Sequence, residues 1–416
     1  MRLRLSKVPF LAILLVALLL SCDQLTPNAD DVPGAPGPGD PSNGDPPNGH
    51  PDVAPDNLVL CREDFTVKYV DGVISLSRDG GVSYHRSIEV GDIDLLHVHV
   101  FEDESLFFAD HGACYYSHDW EAFHESTVLD IDGEEFVPYT LHHFTMNMGA
   151  DTYRQIVDGQ EMLVWGNYCY QGYSEYESVN VWYTTDRGET VKTAYSFRPT
   201  EADDGSGRLY TRHVHNVNFN PSDNTFWLQT GDFIRNGVDQ RHVLKGVYSF
   251  EDDRWEWELV GSGYEFKWTS VVFVGEDIYF AWDVPTGGVV RVPYHLAGDT
   301  DAHDLVLATE NDCLAIIKSH DDEFIVIQAP YGGDDDARNL YYSPDRLNWH
   351  RIENLIPEDT PNNRIAFLPD LSTDNWGRVR ATPQNMSPHH VHETVFLDEI
   401  VRSAGFPDAF RPVETP

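Results

Sequence analysis

The feature that most constrains this chain is a short unit that recurs along it, two β-strands joined by a tight turn. Its clearest copy is Thr211–Asp232, where Val214, Asn216 and Asn218 alternate with His215, Val217 and Phe219. The turn Asn220–Asn224 follows, Phe226–Thr230 runs back, and Gly231-Asp232 stops the unit. Alternation with period two, punctuated by Asn, Asp, Gly and Pro, is the signature of half-buried strands. Looser copies pair Leu95–Phe101 with Leu106–Ala109, His142–Asn147 with Met162–Gly166, and Trp268–Val274 with Ile278–Trp282. Leu314–Ser319 with Glu323–Ala329 is another. Third strands fit at Val73–Ser77, Ala113–Ser117, Asn180–Thr184, Val243–Phe250, Val289–Val292 and Asn339–Ser343. No stretch carries a helical stripe of several turns, so the pattern predicts an all-β sandwich, barrel or propeller.

A second repeat chooses among these. Ser77-Arg78-Asp79-Gly80-Gly81-Val82-Ser83-Tyr84 and Thr184-Thr185-Asp186-Arg187-Gly188-Glu189-Thr190 share a spacing of hydroxyl, aspartate and glycine. Ser117-His118-Asp119 with Phe123, and Ser343-Pro344-Asp345 with Trp349, are copies without the glycine. This pattern resembles the Asp-box, or BNR repeat, of sialidase-like β-propellers. The resemblance implies a β-propeller over residues 57–400 with six four-stranded blades and a tail at 401–416. Ile365–Leu368 and Val391–Leu397 would build a seventh blade or close the ring by pairing with Leu58–Leu60. It also implies that Asp79, Asp119, Asp186 and Asp345 are structural, each carboxylate accepting backbone N–H groups within a turn.

The N-terminus sets the expected compartment. Arg2, Arg4 and Lys7 precede the apolar run Val8–Leu20, which is short for a membrane span. Leu19-Leu20-Ser21-Cys22 resembles a lipobox, which implies a signal peptide over 1–21 and lipidation at Cys22. Residues 22–56 then read as a tether rich in proline, glycine and aspartate, with no aromatic residue. Such a segment lacks the apolar surface to fold and would reach about 100 Å at about 3.1 Å per residue. The expectation is a membrane lipoprotein of the cell envelope whose folded domain stands off the lipid surface. Its formal net charge of -41 repels nucleic acid, so no nucleic-acid partner is expected. So acidic a surface, with only six lysines, suits work in high salt.

Ligands of a propeller bind at the mouth of the central channel, so polar residues near the first strand of each blade carry the functional signal. The pairs His97/His99 and His213/His215 are H-x-H steps, which put two imidazoles on one strand face about 7 Å apart at Cα. That spacing suits a divalent metal, with His213 and His215 the candidate ligands and the ion's identity open. The alternative is that one histidine of each pair fills an inner position and bonds a neighbouring strand. Cys61, Cys114, Cys169 and Cys313 are even in number and allow two disulfides.

Sialidase activity fits poorly, because Phe197-Arg198-Pro199 lacks the isoleucine of the F/Y-R-I-P motif and falls after the third box. The order His124, His143, Tyr195, Arg212 is similar to the catalytic set of propeller polysaccharide lyases such as ulvan lyases. That resemblance implies β-elimination from a uronate polymer, with Tyr195 as base or acid and His143 and Arg212 holding the carboxylate. An acidic chain would need a local cationic pocket to accept such a substrate. Tyr168, Tyr170, Tyr173 and Tyr176 cluster before the third box and read either as a glycan-stacking loop or as packing between blades. The expected partner is a glycan or polysaccharide; a non-catalytic lipoprotein that scaffolds envelope proteins is the alternative.

Overall fold

A computed structural model describes residues 59–61, 66–78, 83–91, 93, 95, 97–110, 113–137, 154–157, 159–166, 179–199, 203–309, 312–318, 324–328, 340–352, 364–367, 380–384 and 395–396. The chain divides into two units, Met1–His50 and Pro51–Pro416, and every described residue lies in the second. Cys22, Asp79, His142, His143, Cys169 and the tyrosines at 168–176 fall outside the described residues. Among the described residues no helix is long and apolar enough to cross a membrane.

The described chain is a β-propeller. Each blade is an antiparallel sheet whose strands follow in chain order. Blade 1 runs Val59–Cys61, Thr66–Val70, Val73–Ser77 and Arg86–Glu89. Blade 2 runs His97–Val100, Leu106–Ala109, Cys114–Ser117 and His124–Glu125. Blade 3 runs Arg154–Val157, Gln160–Gly166, Asn180–Thr184 and Thr190–Ser196, and Thr127–Leu129 adds to its outer edge in parallel. Blade 4 comprises His213–Asn220, Thr225–Gly231, His242–Ser249 and Arg254–Ser262. Blade 5 comprises Trp268–Val274, Asp277–Trp282, Gly288–Pro293 and Asp304–Ala308. Blade 6 comprises Cys313–Lys318, Phe324–Gln328, Leu340–Ser343 and His350–Ile352. A further sheet of three described strands, Arg364–Phe367, Arg380–Gln384 and Val395–Phe396, stands where a seventh blade was the alternative. Val59–Cys61 pairs with Thr66–Val70 as the first strand of blade 1, so among the described pairings it does not close the ring with the last sheet.

Packing explains why these sheets stack around an axis. Each buried apolar cluster draws on consecutive sheets. One joins Leu76 and Ile74 to Val98 and Phe108; another joins Phe107 to Trp165 and Trp182. Val164 and Val181 meet Val214 and Phe226, Trp227 meets Trp268 and Phe280, and Val289 meets Cys313 and Ile316. A blade buried on both faces has no polar side, which is why Thr225–Gly231 is buried at every position instead of alternating. Each side chain the size of Phe280 contributes about 2–3 kcal/mol by leaving water.

At the axis the first strands of blades 4, 5 and 6 lie side by side without pairing into one sheet. Their polar side chains bond the neighbouring backbone instead. Asn218 Oδ1 accepts from Val271 N at 3.2 Å, Ser270 Oγ accepts from Ile316 N at 2.8 Å, and Thr269 Oγ donates to Cys313 O at 3.0 Å. The buried Ser, Thr and Asn of these strands therefore do the joining that strand pairing does within a blade.

Three of the box aspartates are described, each in the turn from a third to a fourth strand. Asp119 Oδ1 accepts Glu121 N at 2.8 Å, Asp186 Oδ1 accepts Thr190 N at 3.0 Å, and Asp345 Oδ1 accepts Asn348 N at 2.7 Å. In an up-and-down blade those turns lie at the end opposite the start of the first strand. Cys114 and Cys313 are buried free thiols, so no disulfide that includes either of them forms. Burial pushes the Cys313 thiol up to about 12, where it is inert as a nucleophile.

Candidate functional site

The first strand of a blade starts, and its second strand ends, at one face of the propeller. In blade 4 this juxtaposes Arg212, His213 and His215 with Asp232. A β-bulge falls between Val214 and Asn216, so His215 has no partner residue opposite it and its ring is re-aimed. The His213 and His215 rings then lie 5.0 Å apart between centroids, where flat strand geometry would leave them further. Gly231 makes the room: a Cβ there would come within 2.0 Å of His215 Cε1. Gly231→Ala is therefore expected to displace the His215 ring and lower divalent-metal affinity at least tenfold, measured by isothermal titration, with the rest of the fold retained.

Asp232 is the centre of the cluster. Its Oδ1 lies 3.2 Å from Nε2 of both His213 and His215, and its Oδ2 lies 3.4 Å from Arg212 Nη1. Both histidines are buried, and Asp232 remains partly open. Burial opposes the charged form of Asp232, but the attraction of His213 and the bonds from both rings hold its carboxyl well below the usual range. Burial also pulls His213 down, against the opposing pull of Asp232.

His215 Nδ1 lies 2.8 Å from Trp268 O. A carbonyl only accepts, so Nδ1 carries a proton, and Nε2 is the nitrogen turned to Asp232, where it either donates to the carboxylate or gives its lone pair to a cation held between them. Tetrahedral zinc with bonds of about 2.1 Å needs ligand atoms roughly 3.4 Å apart, close to the two 3.2 Å separations found here. All three ligand atoms lie within 4.8 Å of one another. Two imidazoles and one carboxylate, with the outer ring nitrogen of His215 held by a backbone carbonyl, form a donor set suited to zinc or another borderline divalent ion.

Blades 5 and 6 bring a second group to the same face. Asp283 Oδ2 is 4.0 Å from His215 Nε2 and 3.0 Å from Lys267 Nζ. Asp312, just before the first strand of blade 6, interacts with Asp283. Burial first, and the Asp283 charge second, push Asp312 up to about 8. Asp312 Oδ2 is buried without a hydrogen-bond partner among the described residues.

The structure separates the residues that chain order had grouped. Arg212 is at the mouth, its guanidinium 5.7 Å from the Phe233 ring. His124 is exposed at the start of the outermost strand of blade 2, next to the Asp119 turn and so at the opposite end from Arg212. Tyr195 lies in the fourth strand of blade 3, where its ring packs on Phe197 at 4.8 Å and Trp257 at 5.9 Å. Neither is brought to Arg212, because a fourth strand is the blade's perimeter and not its channel edge. Of the other H-x-H pair, His99 is buried 3.3 Å from Glu161, a carboxylate whose other oxygen accepts Glu102 N at 2.9 Å. That histidine joins blades 2 and 3.

Asp232, Asp283, Lys267 and Asp312 were missed from sequence. A usable signal was present: Asp110, Asp232 and Asp283 each directly follow the second strand of their blade, at the mouth.

No family model and no curated protein matches the chain. Among solved structures it is similar to YCF48 bound to D1 peptide, with 10% identity, a TM-score of 0.42, and coverage of 81% of this chain and 95% of that one. It is also similar to a putative 6-phosphogluconolactonase from Bacteroides fragilis, with 13% identity, a TM-score of 0.41, and coverage of 84% and 96%. A eukaryotic initiation factor structure matches at 8% identity and a TM-score of 0.37 over 71% of this chain, which spans 65% of that one. Likenesses this distant carry no argument about the site, whose reading rests on its own geometry.

Proposed function

We propose that this is a lipid-anchored propeller of the cell envelope that captures the carboxylate of an acidic glycan on a divalent metal at the His213 mouth. As an enzyme it would cleave a uronate polymer by β-elimination. The observation that supports this reading is the convergence of His213 Nε2 and His215 Nε2 on Asp232 Oδ1, each at 3.2 Å, beside Arg212. Without an ion, the charges of Arg212 and Lys267 are matched by Asp232 and Asp283, so the mouth offers an anion nothing. A divalent ion on the three ligands leaves an excess positive charge there, on a chain whose net charge is otherwise -41. The ion and Arg212 together would neutralise a uronate carboxylate and acidify the proton on the adjacent ring carbon; Asp283 would take that proton as the bond to the leaving oxygen breaks, and Asp312, pushed up to about 8, would protonate that oxygen.

The test is release of ultraviolet-absorbing unsaturated uronate from acidic polysaccharides by the metal-loaded chain, before and after chelation. Arg212→Ala is expected to lower release about 100-fold or more, the scale of losing one charged donor to a developing anion. Glycan binding without release would leave a binding propeller. Neither binding nor release across uronate polymers, with the metal in place, would end the glycan reading and leave a scaffold.

A further inference from the structure

We infer that Phe233, Tyr264 and Trp282 form a sugar-stacking subsite running outward from the metal ligands, which takes the pyranose rings next to the captured uronate. This rests on the glycan reading above and extends it to named contacts. Among the described residues, the large aromatics that stay exposed are Phe123, Phe233 and Tyr264, and two of these three lie at this mouth, 41% and 45% exposed. The other described rings pack wholly or partly between sheets, whereas Phe233 and Tyr264 keep a large share of their surface in water and so have surface free for a ligand.

Two of the rings touch, and a chain of backbone bonds ties the segment of the third to them. Phe233 directly follows the ligand Asp232 and opens a small hairpin, Ile234–Arg235 with Val238–Asp239, that blade 4 inserts between its second and third strands. Phe233 O accepts Gln240 N at 3.3 Å, and the next residue's carbonyl, Arg241 O, accepts Gly263 N at 3.0 Å. That bond places Tyr264 beside the hairpin base. Trp282 Nε1 then donates to Tyr264 O at 3.2 Å, and the two rings meet edge to face at 5.5 Å. The track thus starts beside one ligand and reaches blade 5 one residue before Asp283.

With the metal ion in place, charge favours an acidic occupant. Arg212 sits over Phe233 at 5.7 Å, and Arg241, held by Asp239 through two bonds of 2.8 and 2.7 Å, sits over Tyr264 at 5.8 Å. Each exposed ring therefore has a guanidinium over it; Arg241 is matched by Asp239, and Arg212 is freed to meet an anion when a metal ion takes Asp232. A pyranose presents C–H groups to a ring face and hydroxyl or carboxylate oxygens at its edge, and this alternation of ring and cation matches both. A protein partner would want a broader apolar patch than these rings provide.

The test titrates the full metal-loaded chain with uronate oligosaccharides of two and six sugars, and with a neutral hexasaccharide, by calorimetry. Phe233→Ala and Tyr264→Ala are each expected to weaken hexauronate binding about tenfold while leaving zinc affinity unchanged; Tyr264→Ala, further from the ligands, also leaves diuronate binding unchanged, whereas Tyr264→Phe retains wild-type affinity. Wild-type hexauronate affinity in both alanine variants would overturn the subsite and leave the metal-centred reading standing. Equal binding of the neutral hexasaccharide would overturn the acidic assignment of the track. If the wild-type chain binds zinc but no uronate oligomer, the glycan reading fails and the subsite fails with it.

Discussion

Stripped of metal by a chelator and titrated with zinc, the chain is expected to bind one ion at the His213 mouth and to melt at a higher temperature when loaded. The arrangement is pre-formed, so little reorganisation opposes binding: Asp232 is held by Arg212, and the outer nitrogen of His215 is held by Trp268 O. At a free zinc concentration 100 times Kd the folded state gains about 2.7 kcal/mol. His213→Ala or His215→Ala removes one of three ligands and should lower affinity by about 100-fold or more. Asp232→Asn should do the same and, in addition, leave Arg212 without its carboxylate. His99→Ala is the control, since that histidine joins blades 2 and 3 away from the mouth. Unchanged zinc affinity in His215→Ala would remove the metal assignment.

The second large effect concerns Asp312. Unfolded, its carboxyl titrates near the ordinary 3.8; folded, it is pushed up to about 8 by burial and by Asp283. Between those pH values the native chain holds a proton that the unfolded chain has released. Stability is therefore fully present below the lower value and is lost as pH rises through the higher one. Asp312→Asn keeps the shape and a donor for Asp283 but has no proton to lose. The variant is expected to match wild type near pH 4 and to exceed it at pH 9 by at most on the order of 6 kcal/mol, the span from 3.8 to about 8 at about 1.4 kcal/mol per tenfold step in proton affinity. Denaturant melts at the two pH values measure this. Parallel pH profiles for the two proteins would show that Asp312 does not hold the extra proton.

Strand order was the most legible part of the chain. The third strands expected at Ala113–Ser117, Asn180–Thr184 and Val289–Val292 are third strands, within a residue or so at their ends. Period-two alternation and turn residues are local properties, so they survive without knowledge of the neighbours. The site was legible only where it too was local. Arg212, His213 and His215 stand on one strand and could be singled out from sequence. His124 and Tyr195 could not be ruled out, because spacing along the chain does not say whether a strand lines the channel or forms the rim.

By itself, then, the sequence determined the repeated strand–turn–strand unit, the turns closed by Asp119, Asp186 and Asp345, and the imidazole pair beside Arg212. These depend on backbone periodicity and on contacts within a few residues. The tertiary structure alone decided that Asp232 closes on both imidazoles, that the bulge at His215 turns its ring inward, and that Lys267, Asp283 and Asp312 arrive from the next two blades. Those groups meet because apolar burial stacks each sheet face to face with the next, and that stacking brings the ends of successive first and second strands to one mouth.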